Sequence, residues 1–264
     1  MDATIVAEID QKLERVISDE SVTIPWAIES GSRAWGFPSP DSDYDCRFVY
    51  IRSLSQTLSL FPKRDVIELP LTPIFDVNGW ELAKALKLLL KGNAVIIEWL
   101  TSPIIYRGDA EFQKQFLQLA HEVVNRGAIA NHYLRLAISG RDRQIYGDEI
   151  PLKKLFYILR PLLALDWLRA HDNKSIAPMH FPTLLAQADL SENTRRCIHE
   201  LIEAKSVTNE LGSGNIPAPI STYMRCAFER AESNPIEISL ANSEQITLAE
   251  EFHMRWLTGN NQLY

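Results

Sequence analysis

Cysteine is scarce: Cys46, Cys197 and Cys226 are the only three in 264 residues, and no two stand at Cys-x-x-Cys spacing. An odd, scattered set excludes a disulfide framework and offers no zinc clip, so three reduced thiols in packed positions are expected. Long apolar runs are missing as well. None approaches the roughly 20 residues of a membrane span, and Asp2, Glu8, Asp10 and Glu14 near the start do not suit a secretory leader. The expectation is a soluble, cytoplasmic protein with no membrane partner. Positive charge is in deficit, with 27 Lys and Arg against 34 Asp and Glu for a net of −7. That balance argues against sequence-blind nucleic-acid binding and confines any polynucleotide contact to one face. There is no Gly-x-x-x-x-Gly-Lys-Ser/Thr loop, which removes Walker-type ATP hydrolysis, and no Gly-x-Ser-x-Gly elbow. None of His121, His132, His171, His180, His199 or His253 stands at a zinc-protease spacing. Internal repeats and long linkers are also absent.

What the chain does have is enough apolar residue, 46%, for a well-buried interior in one large or two small domains. Ile5, Ile9, Leu13, Val16 and Ile17 predict a helix over 1–20, and a strand follows over 22–28. Over 44–51, Tyr44, Cys46, Phe48 and Tyr50 alternate with Asp45, Arg47 and Val49, which predicts a strand with one apolar face and one face carrying chemistry. Short strands are expected at 65–69 and 71–77, broken by Pro70, with Gly79 as the exit and a helix running from Trp80 to Gly92. A second short helix ends at Pro103. Beyond about 107 the pattern is helical, near 109–121, 126–146, 152–170, 191–211, 219–232 and 245–257, with Gly212-Ser213-Gly214 as a helix cap and loop. Trp80, Trp99 and Trp167 are expected to be core residues on amphipathic helices. The fold class is therefore α+β: a small mixed sheet with flanking helices over 1–107, then an all-helical domain over 108–264, with a cleft between the halves as the natural ligand place.

The most informative stretch is Glu29-Ser30-Gly31-Ser32-Arg33-Ala34-Trp35-Gly36 followed by Asp41-Ser42-Asp43-Tyr44-Asp45. Gly31 lets the backbone approach phosphate oxygens, Ser32 adds a hydroxyl, and a helix beginning near Arg33 turns its positive end the same way, with the Arg33 charge beside it. Trp35 anchors the turn by packing. Asp43 and Asp45, two apart on a strand, project from one face, where they repel each other unless a cation intervenes. A bland alternative stands beside each half: Ser30 or Ser32 as a helix N-cap, and Asp-Ser-Asp-Tyr-Asp as a solvated turn after Pro40. The chemical reading is a triphosphate cradle beside a site for two Mg²⁺ ions, with Mn²⁺ possible in their place. A third carboxylate belongs on a neighbouring strand; Asp76 is the first choice and Glu68 the competitor.

These residues carry a resemblance. Gly31-Ser32, Asp43-x-Asp45 and a later strand carboxylate look like the signature of the DNA polymerase β-like nucleotidyltransferase superfamily. More narrowly, the stretches 29–37, 39–45, Arg-Phe-Val-Tyr at 47–50, Gly-Trp-Glu-Leu at 79–82, Glu-Trp-Leu at 98–100 and Leu-Arg-Pro-Leu-Leu-Ala at 159–164 resemble predicted nucleotidyltransferases of the RNA-ligase-associated type. The likeness spans more than half the chain. It implies an NTP and Mg²⁺ as cofactors and a helical domain that closes over the nucleotide, and it leaves open whether the acceptor is RNA, a protein or a small molecule.

Lys153, Tyr157 and Arg160 fall at i, i+4 and i+7 of one helix, opposite Leu152, Leu155, Phe156 and Leu159, with Pro161 expected to kink it. A cation pair flanking a ring suits phosphate contact and base stacking. The alternative is a solvated basic face near Asp148 and Glu149. The sequence thus points to a nucleotidyltransferase (EC 2.7.7-type) moving an NMP from an NTP, ATP by default, to a hydroxyl acceptor, RNA first. Asp43, Asp45 and Asp76 hold metal in this reading, and Gly31 and Ser32 hold the triphosphate. A non-catalytic nucleotide-sensing or antitoxin-like partner-binding protein on the same fold is the alternative.

Overall fold

The structure, a computed structural model, describes residues 2–144, 149–208 and 212–259. In chain order its elements are α1 (Ala3–Glu20), β1 (Val22–Glu29), α2 (Gly31–Trp35), β2 (Tyr44–Arg52), α3 (Leu54–Thr57), β3 (Val66–Glu68), β4 (Phe75–Glu81), α4 (Leu82–Leu90), α5 (Ala94–Thr101), β5 (Ile105–Gly108) and α6 (Ala110–Val123). There follow α7 (Arg126–Gln144), β6 (Glu149–Pro151), α8 (Leu152–Ala170), α9 (Phe181–Gln187), α10 (Glu192–Val207), β7 (Ser213–Asn215), α11 (Ala218–Ser233) and α12 (Ser243–Gly259). Five strands form one mixed sheet in the order β3-β4-β2-β1-β5. The α+β class is therefore as expected. No helix among the described residues is long and apolar enough to cross a membrane.

Local signals explain most boundaries. The Asp2 side chain accepts the Thr4 N–H at 2.8 Å to start α1, and Ser21 at φ 52° stops it. The α1 stripe Ile9, Leu13 and Val16 is buried in one cluster with Ala27, Cys46, Phe48, Tyr50 and Val77. Alternation along β2 holds: Cys46, Phe48 and Tyr50 are fully buried, while Asp45 and Arg47 stay partly open on the other face.

Four expectations need correction. The second short strand does not occupy 71–77; it runs Phe75–Glu81, because after Pro70 Thr72 and Phe75 close a turn that contains Pro73 (Phe75 N to Thr72 Oγ1 2.9 Å). Gly79 is an interior strand residue, not an exit: a Cβ there would lie 2.2 Å from the Phe48 ring, so only glycine admits that ring. Trp80 accordingly sits on β4 and packs on Trp99 (centroids 4.1 Å), and α4 starts at Leu82. Trp99 is core as expected, whereas Trp167 is half-buried and stacks on His171 at 4.1 Å.

Five elements, α3, β5, β6, α9 and β7, were not foreseen. Strand β5 pairs antiparallel with β1 and carries Tyr106, and helix α9 carries Pro182 in its first turn, where proline costs no hydrogen bond. Gly212–Gly214 is more than a cap, since β7 pairs with β6 through Ile150 and Gly214. Helix α8 continues through Pro161. The expected ends of the helices at 146 and 211, and Asp148, lie outside the described residues.

The chain forms two compact units: Met1–Gly31 with Asp43–Val124 and Leu240–Tyr264, and Ser32–Ser42 with Asn125–Ser239, each read over its described residues. This differs from a single cut at 107. In the sheet unit α6 and α12 pack on each other through Phe112, Phe116, Phe252 and Trp256, with Phe116 and Phe252 centroids 5.0 Å apart. The helical unit is centred on α7 and α8, with Ile129, Tyr133, Leu155, Ile158, Leu159 and Leu162 buried.

Candidate functional site

In the sheet unit, β2 and β4 run parallel, and the ladder sets Asp45 directly beside Asp76. Parallel neighbours point to the same face, so two carboxylates stand side by side. A cation is already on them. Arg47, two residues along β2 and on the same face, donates from Nη2 to Asp45 Oδ1 (2.9 Å) and Asp76 Oδ2 (2.7 Å). Its Nη1 donates to the main-chain oxygens of Asp76 (2.8 Å) and Cys46 (3.1 Å). Asn78 donates to Asp76 Oδ1 at 3.3 Å. Glu68 lies on the edge strand, paired with Arg64 at 2.9 Å and half exposed, with β4 between it and β2. Of the two competitors for a third carboxylate, Asp76 is therefore the one adjoining Asp45.

The carboxylate of Asp45 is built in from below. Burial pushes its pKa up, Arg47 pulls it down, and the charges of Asp43 and Asp76 push it up again. An acid so placed favours a nearby cation. Asp45 N–H donates to Glu29 Oε1 (3.0 Å), and Asp45 O accepts the Ser30 N–H (2.8 Å). Glu29 is fully buried at the end of β1, and its other oxygen accepts the Tyr106 hydroxyl from β5. Gly31 has φ +63°, and a Cβ on it would lie 2.0 Å from Asp45 Oδ2. Here the glycine is obligatory on both grounds: left-handed backbone and contact with the acid.

Asp43 precedes β2, is exposed, and reaches Asp45 through charge. Among the described residues no three His, Cys, Asp or Glu side chains form a group arranged to hold an ion by themselves. The expected convergence of three acids is thus an adjoining pair with Asp43 nearby. The donor set still fits magnesium, which takes hard oxygen ligands and is commonly held by one or two carboxylates together with substrate phosphates. The guanidinium on the pair is a stand-in for positive charge at that place.

In the helical unit, segment 32–42 is a tied loop. Ser32 Oγ donates to Ser42 Oγ (3.0 Å), which also accepts the Ser39 N–H (2.9 Å), and Arg33 donates to the Ser42 carbonyl. The expected face of α8 is brought against this loop. Lys153 binds both oxygens of Asp41 at 3.0 Å, Tyr157 meets Trp35 edge-on at 5.5 Å, and the Arg160 guanidinium lies 4.1 Å over the Trp35 ring. Trp35 is the anchor expected, and Phe37 stacks on Phe156 at 4.9 Å beside it. Arg160 is buried, Tyr157 partly exposed.

Four residues of these arrangements were missed. Arg47 was legible, since it shares the period-2 face of Asp45. Glu29 and Tyr106 were not, because their bond joins strands 77 residues apart. Lys205 carried no signal: it is buried on α10, donates to the Phe37 carbonyl, and lies 5.0 Å from the Phe37 ring.

Burial, with Lys153 and Arg33 adding repulsion and Asp41 opposing it, lowers the Lys205 pKa to about 8 from 10.5. The fold thus favours the neutral amine, so between those two values the unfolded chain binds the extra proton and stability rises with pH. Lys205→Met removes that rise. Denaturant titrations near pH 7.5 and near pH 10 check it: the wild type gains on the variant at the higher pH, and parallel behaviour would acquit Lys205.

Comparison with known proteins finds relatives of the chain. YcgL of Bacillus subtilis (strain 168), described as an uncharacterized protein, is 38% identical over 203 residues, 77% of either chain. A family model covering residues 5–252 matches as well, nearly the whole chain and both units, so the resemblance read from Gly31-Ser32 and Asp43-x-Asp45 is one of descent: the protein belongs to RlaP, the RNA repair pathway DNA polymerase beta family, and is a polymerase β-like nucleotidyltransferase by family.

Proposed function

We propose that the protein is an active, metal-dependent nucleotidyltransferase that moves an NMP from an NTP, ATP first, to a hydroxyl on RNA. The observation that carries this reading is the Asp45 and Asp76 pair on adjoining parallel strands, with Gly31 pressed against Asp45. The family's description, with its RNA repair pathway, favours RNA over a protein or small-molecule acceptor.

In the reaction the acceptor oxygen attacks the α-phosphorus, a new P–O bond forms, and the bond from that phosphorus to the bridging oxygen breaks. Pyrophosphate leaves with the electron pair, and the hydroxyl proton passes to a site carboxylate, Asp76 in this reading. Mg²⁺, or Mn²⁺ in its place, held at Asp43, Asp45 and Asp76, supplies positive charge to the reacting oxygens. In the sheet unit Gly31 lets the main chain approach phosphate; the helical unit by itself offers Ser32 and the cations Arg33, Lys153 and Arg160 to phosphate, with Tyr157 as a ring for a base.

Incubation with each α-labelled NTP, Mg²⁺ or Mn²⁺, and a panel of RNA, protein and small-molecule acceptors tests the proposal. Covalent label on RNA with release of pyrophosphate is expected. Nucleotide binding with no pyrophosphate from any NTP would instead establish the sensing role.

A further inference from the structure

The Asp45 and Asp76 pair carries more than two acids. Arg47 spends its donors on four oxygens, and only two of them are carboxylate oxygens. The other two are main-chain carbonyls of Cys46 and Asp76, which keep their positions whatever the charge on the acids. A guanidinium held by acids alone would yield its place to a stronger cation. One tied to two carbonyls of neighbouring strands is part of the sheet. Its side chain is also largely buried, 15% exposed, beside an Asp45 at 19%, so swinging it out leaves both carbonyls and the guanidinium to be resolvated.

Charge balance leads the same way. Asp43, Asp45 and Asp76 with Arg47 leave two negative charges, which a single divalent ion neutralises. No third His, Cys, Asp or Glu completes an ion-holding group with the pair among the described residues.

We infer that Arg47 is the resident cation of this site: it takes the position between Asp45 and Asp76, and the chain therefore holds one divalent ion, at Asp43 and Asp45, in place of the two expected from the sequence. This rests on reading Asp43 and Asp45 as metal-holding acids. Asp76 then gives up the metal-holding role of the proposed reaction and keeps that of proton acceptor, while its other contact holds Arg47 in place. Arg47 in turn offers the reacting groups a fixed positive charge where a second ion would stand, directional and independent of the metal concentration.

Titrating the full chain, loaded with one equivalent of an ATP analogue that cannot be cleaved at the α-phosphate, with Mn²⁺ and following loss of the free-ion electron paramagnetic resonance signal tests this, because substrate phosphates complete the ligand set of such an ion. One bound ion per wild-type chain is expected. Arg47→Met opens the second position and binds two, and its melting temperature, lower than wild type without metal, rises more on adding Mn²⁺. Asp76→Asn gives an independent measurement that does not need the Arg47 variant to fold: it keeps the single ion with affinity within about threefold, roughly 0.7 kcal/mol, whereas Asp45→Asn loses it. Two ions on the wild type, one ion on a folded Arg47→Met, or loss of the ion in Asp76→Asn would each overturn the inference while leaving a metal site at Asp45. No ion on any of these chains would overturn both the inference and the metal reading beneath it.

Discussion

Asp45→Asn abolishes nucleotidyl transfer, by about a thousandfold or more, and leaves the melting temperature within about 4 °C of wild type. The two halves of that expectation have separate causes. A thousandfold is about 4 kcal/mol of transition-state stabilisation, the scale at which loss of a single preorganised charge contact acts on catalysis. Stability is spared because the main chain of residue 45 is held by the Glu29 carboxylate and by Ser30, neither of which touches the Asp45 side chain in doing so. Asparagine keeps the shape and an oxygen for Arg47, and Arg47 keeps Asp76 and both carbonyls. The neutral amide also ends the repulsion from Asp43 and Asp76 that raises the pKa of Asp45. Steady-state transfer rates and a thermal melt on the same preparation decide it. Activity within tenfold of wild type would remove Asp45 from the chemistry.

Gly31→Ala is the second large effect, and it strikes the same carboxylate from the backbone side. At φ +63° an alanine pays about 1–2 kcal/mol for the left-handed conformation alone. Its methyl would then lie 2.0 Å from Asp45 Oδ2 and 2.9 Å from Asp45 Cγ, so the carboxylate has to move. A displacement of about 1 Å in a reacting constellation costs on the order of a hundredfold, and transfer should fall by at least that much. Pairing Gly31→Ala with Asp45→Ala separates strain from clash. If the contact is the cause, the double variant regains part of the stability lost by Gly31→Ala, leaving the backbone cost, and the two activity losses are far from additive. Wild-type transfer by Gly31→Ala would mean that the Asp45 carboxylate need not sit where it does.

Both variants concern a site whose parts were unequally legible. The Asp43-x-Asp45 spacing and the Cys46, Phe48, Tyr50 alternation named the strand and its chemical face, because period-2 patterning is written in consecutive residues. The choice of Asp76 landed beside Asp45 even though its strand lies at 75–81 and not 71–77. The shift came from the Thr72 turn and from the Phe48 ring covering Gly79, the first a side-chain bond and the second a contact between strands. Glycine read as an exit signal is ambiguous for this reason: it marks a chain end or a close approach, and only the neighbour tells which. Strand β5 was lost in the short run Ile104-Ile105-Tyr106, too brief for a period to emerge, and with it went the Tyr106 bond to Glu29.

The helical half divides in the same way. Helix α8 and the shared face of Lys153, Tyr157 and Arg160 follow from 3.6-residue spacing, and the structure brings that face to Trp35 and Asp41 as one group. What the spacing does not contain is that Ser32 and Arg33 are spent on Ser42, or that Lys205 closes on the Phe37 carbonyl.

By itself the sequence determined the α+β class, the family, the strand that carries Asp45 on its chemical face and the glycine turn beside it, because each rests on near neighbours whose geometry is set by backbone period and sterics. Only the tertiary structure decided that segment 32–42 and helix α12 leave their sequence neighbours for other units, that Asp76 adjoins Asp45, that Glu29 and Tyr106 support them, and that Arg47 is the cation between the acids. Those facts are pairings across strands and long loops, set by which surfaces exclude water together and which charges find partners there, and no local pattern encodes them.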